Sequence, residues 1–165
     1  MKMRWILIPV ILVVLIAIGF LALLLYSRSH VLDKDGMINE SVLTYVSYTK
    51  GGGMDGGHHF VTLKRQDDET ALLTVSYLPY YGTKETNTTE TVSADVLDKI
   101  SAVFVQYNME KWADCPKSDL IALDAPSTGY SFEFGSTTYR FSLDQELPQN
   151  AGDALSQINA LLNIQ

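Results

Sequence analysis

Few side chains in this sequence have types and spacings suited to chemistry. Asp55, His58 and His59 form the one cluster with metal-ligand residue types. Zinc normally takes three or four protein ligands. Neighbouring residues of a strand point to opposite faces, so only one of the two histidines can join Asp55. The third histidine, His30, lies far upstream beside an apolar segment. The expectation is a polar strand start, with no metal and no cofactor. Cys115 is the single cysteine, so no intrachain disulfide can form. A nucleophilic thiol needs a base or positive surroundings to ionise. Lys111 and Lys117 are near, but Asp114 and Asp119 offset them. A lone thiol outside the cytoplasm is otherwise buried or paired between chains. Asp95 and Asp98 stand at a helix start, where they serve the helix dipole on its solvent side. No carboxylate pair has a spacing that calls for acid–base catalysis.

Binding chemistry is better represented. Lys50 to Gly57 contains five glycines. It lacks G-K-[ST] and joins strand to strand, so it is not a phosphate-cradling loop. It reads as a hairpin tip where glycine supplies positive φ. Its backbone can approach a ligand closely, with Met54 as a soft apolar contact. Tyr77, Tyr80, Tyr81 and Trp112 could form an aromatic platform for a glycan or a peptide. The competing reading places Tyr77 and Trp112 in the core and uses Tyr80 and Tyr81 to cover a loop. The candidate binding set is Gly52, Gly53, Met54, Asp55, His58, Tyr80, Tyr81 and Trp112. Lys117-Ser118-Asp119 and Asp124 fit turn and cap chemistry in a long loop.

The elements that must position these residues follow from periodicity. Ser41 to Thr49, His58 to Gln66, Ala71 to Leu78 and the Thr-rich Glu85 to Val92 read as strands. The last of them suits a sheet edge. Ser93 suits an N-cap, and Val96, Leu97, Ile100, Val103, Phe104 and Tyr107 recur at helical spacing up to about Met109. Glu110 to Gly129 shows no period and is expected to be a long loop and a contact region, together with Gly51 to Gly57. Tyr130, Phe132 and Phe134, then Tyr139, Phe141 and Leu143, alternate around the turn signal Gly135-Ser136. Pro148 and Asn150 open a final helix with Ala154, Leu155, Ile158, Leu161 and Leu162 on one face. The predicted class is α+β: an antiparallel sheet of five to six strands with two helices packed on it.

The N-terminus is different in kind. Trp5 to Tyr26 is a run of 22 residues without a charge. At about 1.5 Å rise per residue it spans a hydrocarbon core of about 30 Å. Trp5 and Tyr26 stand at its ends, where amphipathic rings favour the headgroup region. A cleaved signal peptide would have a shorter core and small residues at a cleavage site. A lipoprotein signal would need a cysteine just after the run, and the only one is Cys115. The expected layout is a cytoplasmic tail 1–4, a transmembrane signal anchor 5–26, a linker 27–37 and an extracytoplasmic domain 38–165. That is a single-pass protein of the cell membrane, N-terminus inside and domain outside. Charges flank both ends of the run, so the short tail and its amino group supply the orientation. A G-x-x-x-G motif is absent and no charge lies mid-run, so the segment reads as a tether.

The whole chain carries 12 Lys or Arg against 19 Asp or Glu, a net charge of −7. From Ile38 onward the balance is 8 against 17. An acidic domain repels nucleic acid, which excludes that class of partner. With 47% hydrophobic residues, the chain is also neither disordered nor fibrous.

Tyr48-Thr49-Lys50-Gly51-Gly52-Gly53-Met54-Asp55-Gly56-Gly57-His58 resembles the S-G-G-M-x-G segment of small exported proteins of gut-dwelling low-GC Gram-positive bacteria. Tyr107 to Trp112, then Lys117-Ser118-Asp119 and Leu123-Asp124, is similar to a second block of that group. The Pro148-x-Asn150 start of the last helix also fits. Ala113-Asp114-Cys115 departs from it, standing where the group reads D-G-F. The resemblance implies an exported, membrane-associated α+β domain and carries over no catalytic residue. The leading expectation is therefore a non-enzymatic envelope module that binds an envelope protein or a cell-wall glycan. The alternative is a small extracytoplasmic hydrolase or metal-dependent enzyme using Asp55, His58 or Cys115.

Overall fold

A computed structural model describes residues 42–54, 56–118 and 126–164. The apolar segment Trp5–Tyr26, the linker, Asp55, Asp119 and Asp124 lie outside the described residues. Among the described residues, no helix is long and apolar enough to cross a membrane.

The elements run β1 (Leu43–Gly51), β2 (His58–Arg65), β3 (Thr70–Leu78), β4 (Thr86–Ser93), α1 (Asp95–Gln106), a 3-10 helix (Met109–Asp114), β5 (Ser127–Phe134), β6 (Thr137–Ser142) and α2 (Ala151–Leu161). The strands form one antiparallel sheet in the order β4-β3-β2-β1-β5-β6. The fold is α+β, as the alternation implies. β1 is central because β5 returns across α1 to pair with its free side. A register shift between Leu43 and Tyr45 marks where β1 bends against β5.

Registered pairing turns the strand alternation into cross-strand rows. On one face, Leu73, Leu63, Val46, Phe132 and Tyr139 share a row. The next row is Val75, Val61, Tyr48, Tyr130 and Phe141. Both helices press their apolar stripes onto these rows. Leu97, Ile100, Val103 and Phe104 do so from α1, and Ala151, Ala154, Leu155 and Ile158 from α2. Phe104 packs on Phe132, Phe134 and Tyr139 at ring-centroid distances of 5.2, 4.9 and 5.3 Å. The other sheet face has no helix over it among the described residues, and Thr62, Thr74, Ser47 and Ser131 line one of its rows. An antiparallel sheet tolerates this because one face can remain solvated.

Three expectations need correction. Ala94, rather than Ser93, is the boundary residue of α1, although Ser93 Oγ accepts a hydrogen bond from Asp95 N at 3.3 Å. Asp98 is not simply solvent-facing. It accepts a hydrogen bond from Arg65 Nη2 at 2.5 Å, and Arg65 is buried with its Nε donating to Leu43 O at 3.2 Å. The start of the expected long loop is ordered. Asn108 takes a left-handed backbone (φ 51°) and ends α1, and the 3-10 helix that follows buries Met109 and Trp112.

Candidate functional site

The row beyond Tyr48 and Tyr130 is the one that the buried core does not include. It runs from Tyr77 on β3 through His59 on β2 and Lys50 on β1 to Thr128 on β5. Tyr77, His59 and Lys50 form the floor of a cavity of about 500 Å³. That volume falls in the usual range for small-ligand sites, about 300–1,000 Å³. Gly53, Met54 and Gly57 of the β1–β2 turn form one wall, and Leu78, Pro79 and Pro126 complete the lining. The turn closes through Gly56 N donating to Gly53 O at 3.0 Å. Gly52 and Gly56 have φ of 87° and 65°, left-handed backbone that glycine adopts without the steric cost of a Cβ.

Aromatic rings run across four strands at this floor. Tyr77 meets His59 edge-on at 5.5 Å, His59 meets Tyr48 at 5.6 Å, and Tyr48 meets Tyr130 at 5.3 Å. Burial rises along the string, from the half-exposed Tyr77 to Tyr130 at 4% exposure. Burial lifts the Tyr130 phenol to about 12, although its bond to Asn159 Oδ1 at 2.8 Å works the other way. Burial likewise raises the Tyr48 phenol. His59 is held below its ordinary value, first by burial and then by the Lys50 ammonium nearby. It is therefore a neutral imidazole at pH 7. The floor thus offers ring edges and faces, the phenol groups of Tyr48 and Tyr77, a neutral imidazole and one ammonium.

Adjacent histidines on β2 do diverge. His58 contributes to the cavity wall, but its ring turns to the open sheet face and stacks on Phe60 at 4.6 Å. There it joins Ser76 and Glu85. Ser76 Oγ donates to Glu85 Oε1 at 2.5 Å, and His58 Nε2 lies 3.4 Å from both Glu85 Oε1 and Ser76 Oγ. The Ser76 hydroxyl first, then His58, holds the Glu85 carboxyl below its ordinary range. Serine, histidine and a carboxylate suggest a nucleophilic relay, but the geometry is a triangle. A relay needs the acid on Nδ1 and the serine on Nε2. Here both crowd Nε2, and the serine proton goes directly to the carboxylate. The triangle ties the start of β4 to β2 and β3.

The other candidates separate. Trp112 is 1% exposed and packs on Phe141 at 5.1 Å, so it is a core residue and not a platform contact. Tyr80 and Tyr81 lie in the β3–β4 turn and do not line the cavity, a turn held by Thr83 Oγ1 donating to Tyr80 O at 2.6 Å. Tyr81 is 85% exposed, and its Cβ sits where a side chain on Gly56 would reach at 3.1 Å, so the two turns abut. Gly52 belongs to the same turn as Gly53 and Met54 but does not line the cavity. Asp55 lies outside the described residues. Among the described residues, no three His, Cys, Asp or Glu side chains gather as a metal site. Cys115 Sγ donates to the Lys111 carbonyl oxygen at 3.9 Å, away from the cavity lining.

No protein-family model matches the chain, and no curated protein matches it. The site therefore rests on its own geometry. Reasoning from sequence missed Tyr48 and Lys50 as site residues and weighed His59 only as a metal ligand. The available signal was the hairpin itself: with the turn at Gly52–Gly57, alternation places Tyr48, Lys50 and His59 on one face.

A second hollow, of about 650 Å³, runs along α2 between Leu143, Leu147, Leu155 and Ile164. Its lining is mainly aliphatic, and its polar pair, Tyr130 and Asn159, is already hydrogen-bonded. The cavity at the glycine turn holds the more varied chemistry.

Proposed function

We propose that this protein is a membrane-tethered extracytoplasmic binding module whose ligand occupies the cavity beside the glycine turn. The observation that carries this reading is the row Tyr77–His59–Lys50. Three side chains of different chemistry stand on the helix-bearing face of the sheet, yet outside its buried core. A surface that needed only solubility would not gather partly exposed rings there, and aromatic residues are the common anchors of binding sites. The tether rests on the 22-residue uncharged run Trp5–Tyr26. The resemblance of Tyr48–His58 and Tyr107–Trp112 to segments of small exported, membrane-associated proteins supports the same reading.

Two measurements test the reading. Full chain in detergent is titrated with wall glycans and envelope peptides, and binding is followed by its thermal midpoint, which a native-state ligand raises. The expected result is a shift that Tyr77→Ala removes without lowering the unliganded midpoint. Ligand shifts that survive Tyr77→Ala and His59→Ala together would overturn the assignment of the site. Membrane-impermeant thiol labelling of cysteines introduced singly at Lys84 and Lys2, each with Cys115→Ser, reads the topology. Labelling at position 2 but not at position 84 of intact cells would overturn the orientation.

A further inference from the structure

The chemistry of the cavity narrows its ligand, on the reading that the cavity is the binding site. We propose that it accepts a pyranose ring carrying a carboxylate, an acidic sugar unit of a glycan.

The first argument is charge. From Ile38 onward, acidic residues outnumber basic ones 17 to 8, so most of the domain repels anions. The described lining reverses that locally. Lys50 is its ammonium, and no described lining residue is a carboxylate. The titratable groups that share the floor with Lys50 are His59, Tyr48 and Tyr77, and the ring of the fourth lining group, His58, turns to the other sheet face beside Glu85. Burial and Lys50 keep His59 neutral, so it adds a hydrogen-bonding nitrogen without a second charge. One cation matches a carboxylate. A phosphate monoester, at about −1.5 to −2, would leave charge unmatched inside an acidic domain.

The second argument is shape and polarity. Tyr77, His59 and Tyr48 present ring surfaces with polar tips, an arrangement suited to the C–H faces and hydroxyls of a sugar ring. Gly53 and Gly57 bring backbone close to whatever fills the cavity. A peptide would ask for something else. Extended peptides gain their affinity by adding to a free strand edge. β1, β2 and β3, which form the floor, are each paired on both sides. Pro79 and Pro126 in the walls have no N–H to offer a peptide carbonyl.

The test uses full chain in detergent and an oligosaccharide alternating glucuronate with N-acetylglucosamine. The control is the same oligosaccharide with its carboxyls reduced to hydroxymethyl groups. A proline- and tyrosine-containing peptide is the third probe. Isothermal titration is expected to show the acidic sugar binding about tenfold more tightly than its reduced form. Lys50→Met is expected to abolish that preference, weakening the acidic sugar about tenfold more than the reduced one. Tyr77→Ala is expected to weaken both sugars, and added salt to weaken only the acidic one. Equal affinity for both sugars, lost in Tyr77→Ala, would overturn the carboxylate and keep the site. Peptide binding that depends on Tyr77, with neither sugar bound, would overturn the sugar and keep the site. Binding of any probe that ignores Tyr77, His59 and Lys50 would overturn the site itself.

Discussion

Glycine-to-alanine exchange at two positions adds the same methyl group with opposite expected signs. At Gly57 a Cβ would lie 2.4 Å from Pro79 O and 3.0 Å from Leu78 O. Both are backbone atoms at the end of β3, so no flexible side chain can swing aside. Ordinary contact begins at 3.4 Å, so the two segments must part by about 1 Å. Overpacking of this kind costs about 1–3 kcal/mol. The separation also moves Gly57 and Pro79, two walls of the cavity, so ligand affinity falls with stability. At Gly152, inside α2, a Cβ meets nothing within 4 Å. Alanine there gains helix propensity and loses unfolded-state freedom, a stabilisation of about 0.5–1 kcal/mol. For a domain of this size, about 1 kcal/mol moves the midpoint by about 4 °C. Thermal melts of the full chain in detergent should place Gly57→Ala below the parent protein and Gly152→Ala above it. A Gly57→Ala variant that melts with the parent would refute the close approach of the glycine turn to β3.

Other outcomes follow from the same geometry. Tyr130→Phe strands Asn159 Oδ1 and should cost about 1 kcal/mol in urea unfolding. The same substitution should remove a phenol that titrates near 12 from the alkaline ultraviolet titration. Because His59 is held below its unfolded value, its contribution to stability is present above about pH 6.5 and lost as pH falls through the lowered value. His59→Gln should therefore lose less stability than the parent between pH 7 and pH 5, as read by paired melts. Trp112→Ala should cost about 3–5 kcal/mol as a core truncation, whereas Tyr81→Ala, 85% exposed, should leave the midpoint within about 0.5 kcal/mol. Equal losses for the two would contradict their placement.

Most of the framework was legible in the sequence because its signals are local. Tyr130, Phe132 and Phe134 alternate, Gly135-Ser136 turns the chain, and β5 and β6 form where that pattern stands. Leu97, Ile100 and Phe104 recur at helical spacing and face the sheet. The site was less legible because it depends on which row the helices leave open, a property of tertiary packing. His59 and Lys50 look like ordinary strand-end polar residues until the register places them beside Tyr77 and Tyr48. Trp112 misled because a 3-10 helix of one or two turns has too few residues to show a period. The Arg65–Asp98 pair joins β2 to α1 across 33 positions, and no local pattern announces it.

The central position of β1 has a kinetic consequence. Its two partners reach it on very different scales: β2 follows across a short turn, whereas β5 pairs with it from 76 residues further along the chain (Gly51 with Ser127) to 91 (Leu43 with Phe134). Contacts so distant in sequence are formed late, because the loop must close before they give any return. A chain made N-terminus first can therefore assemble β1 to β4 as a meander while the inner edge of β1 is still bare. That edge carries Val46 and Tyr48, which end up fully packed. Until β5 arrives, the strand that will be the middle of the sheet is its most adhesive border.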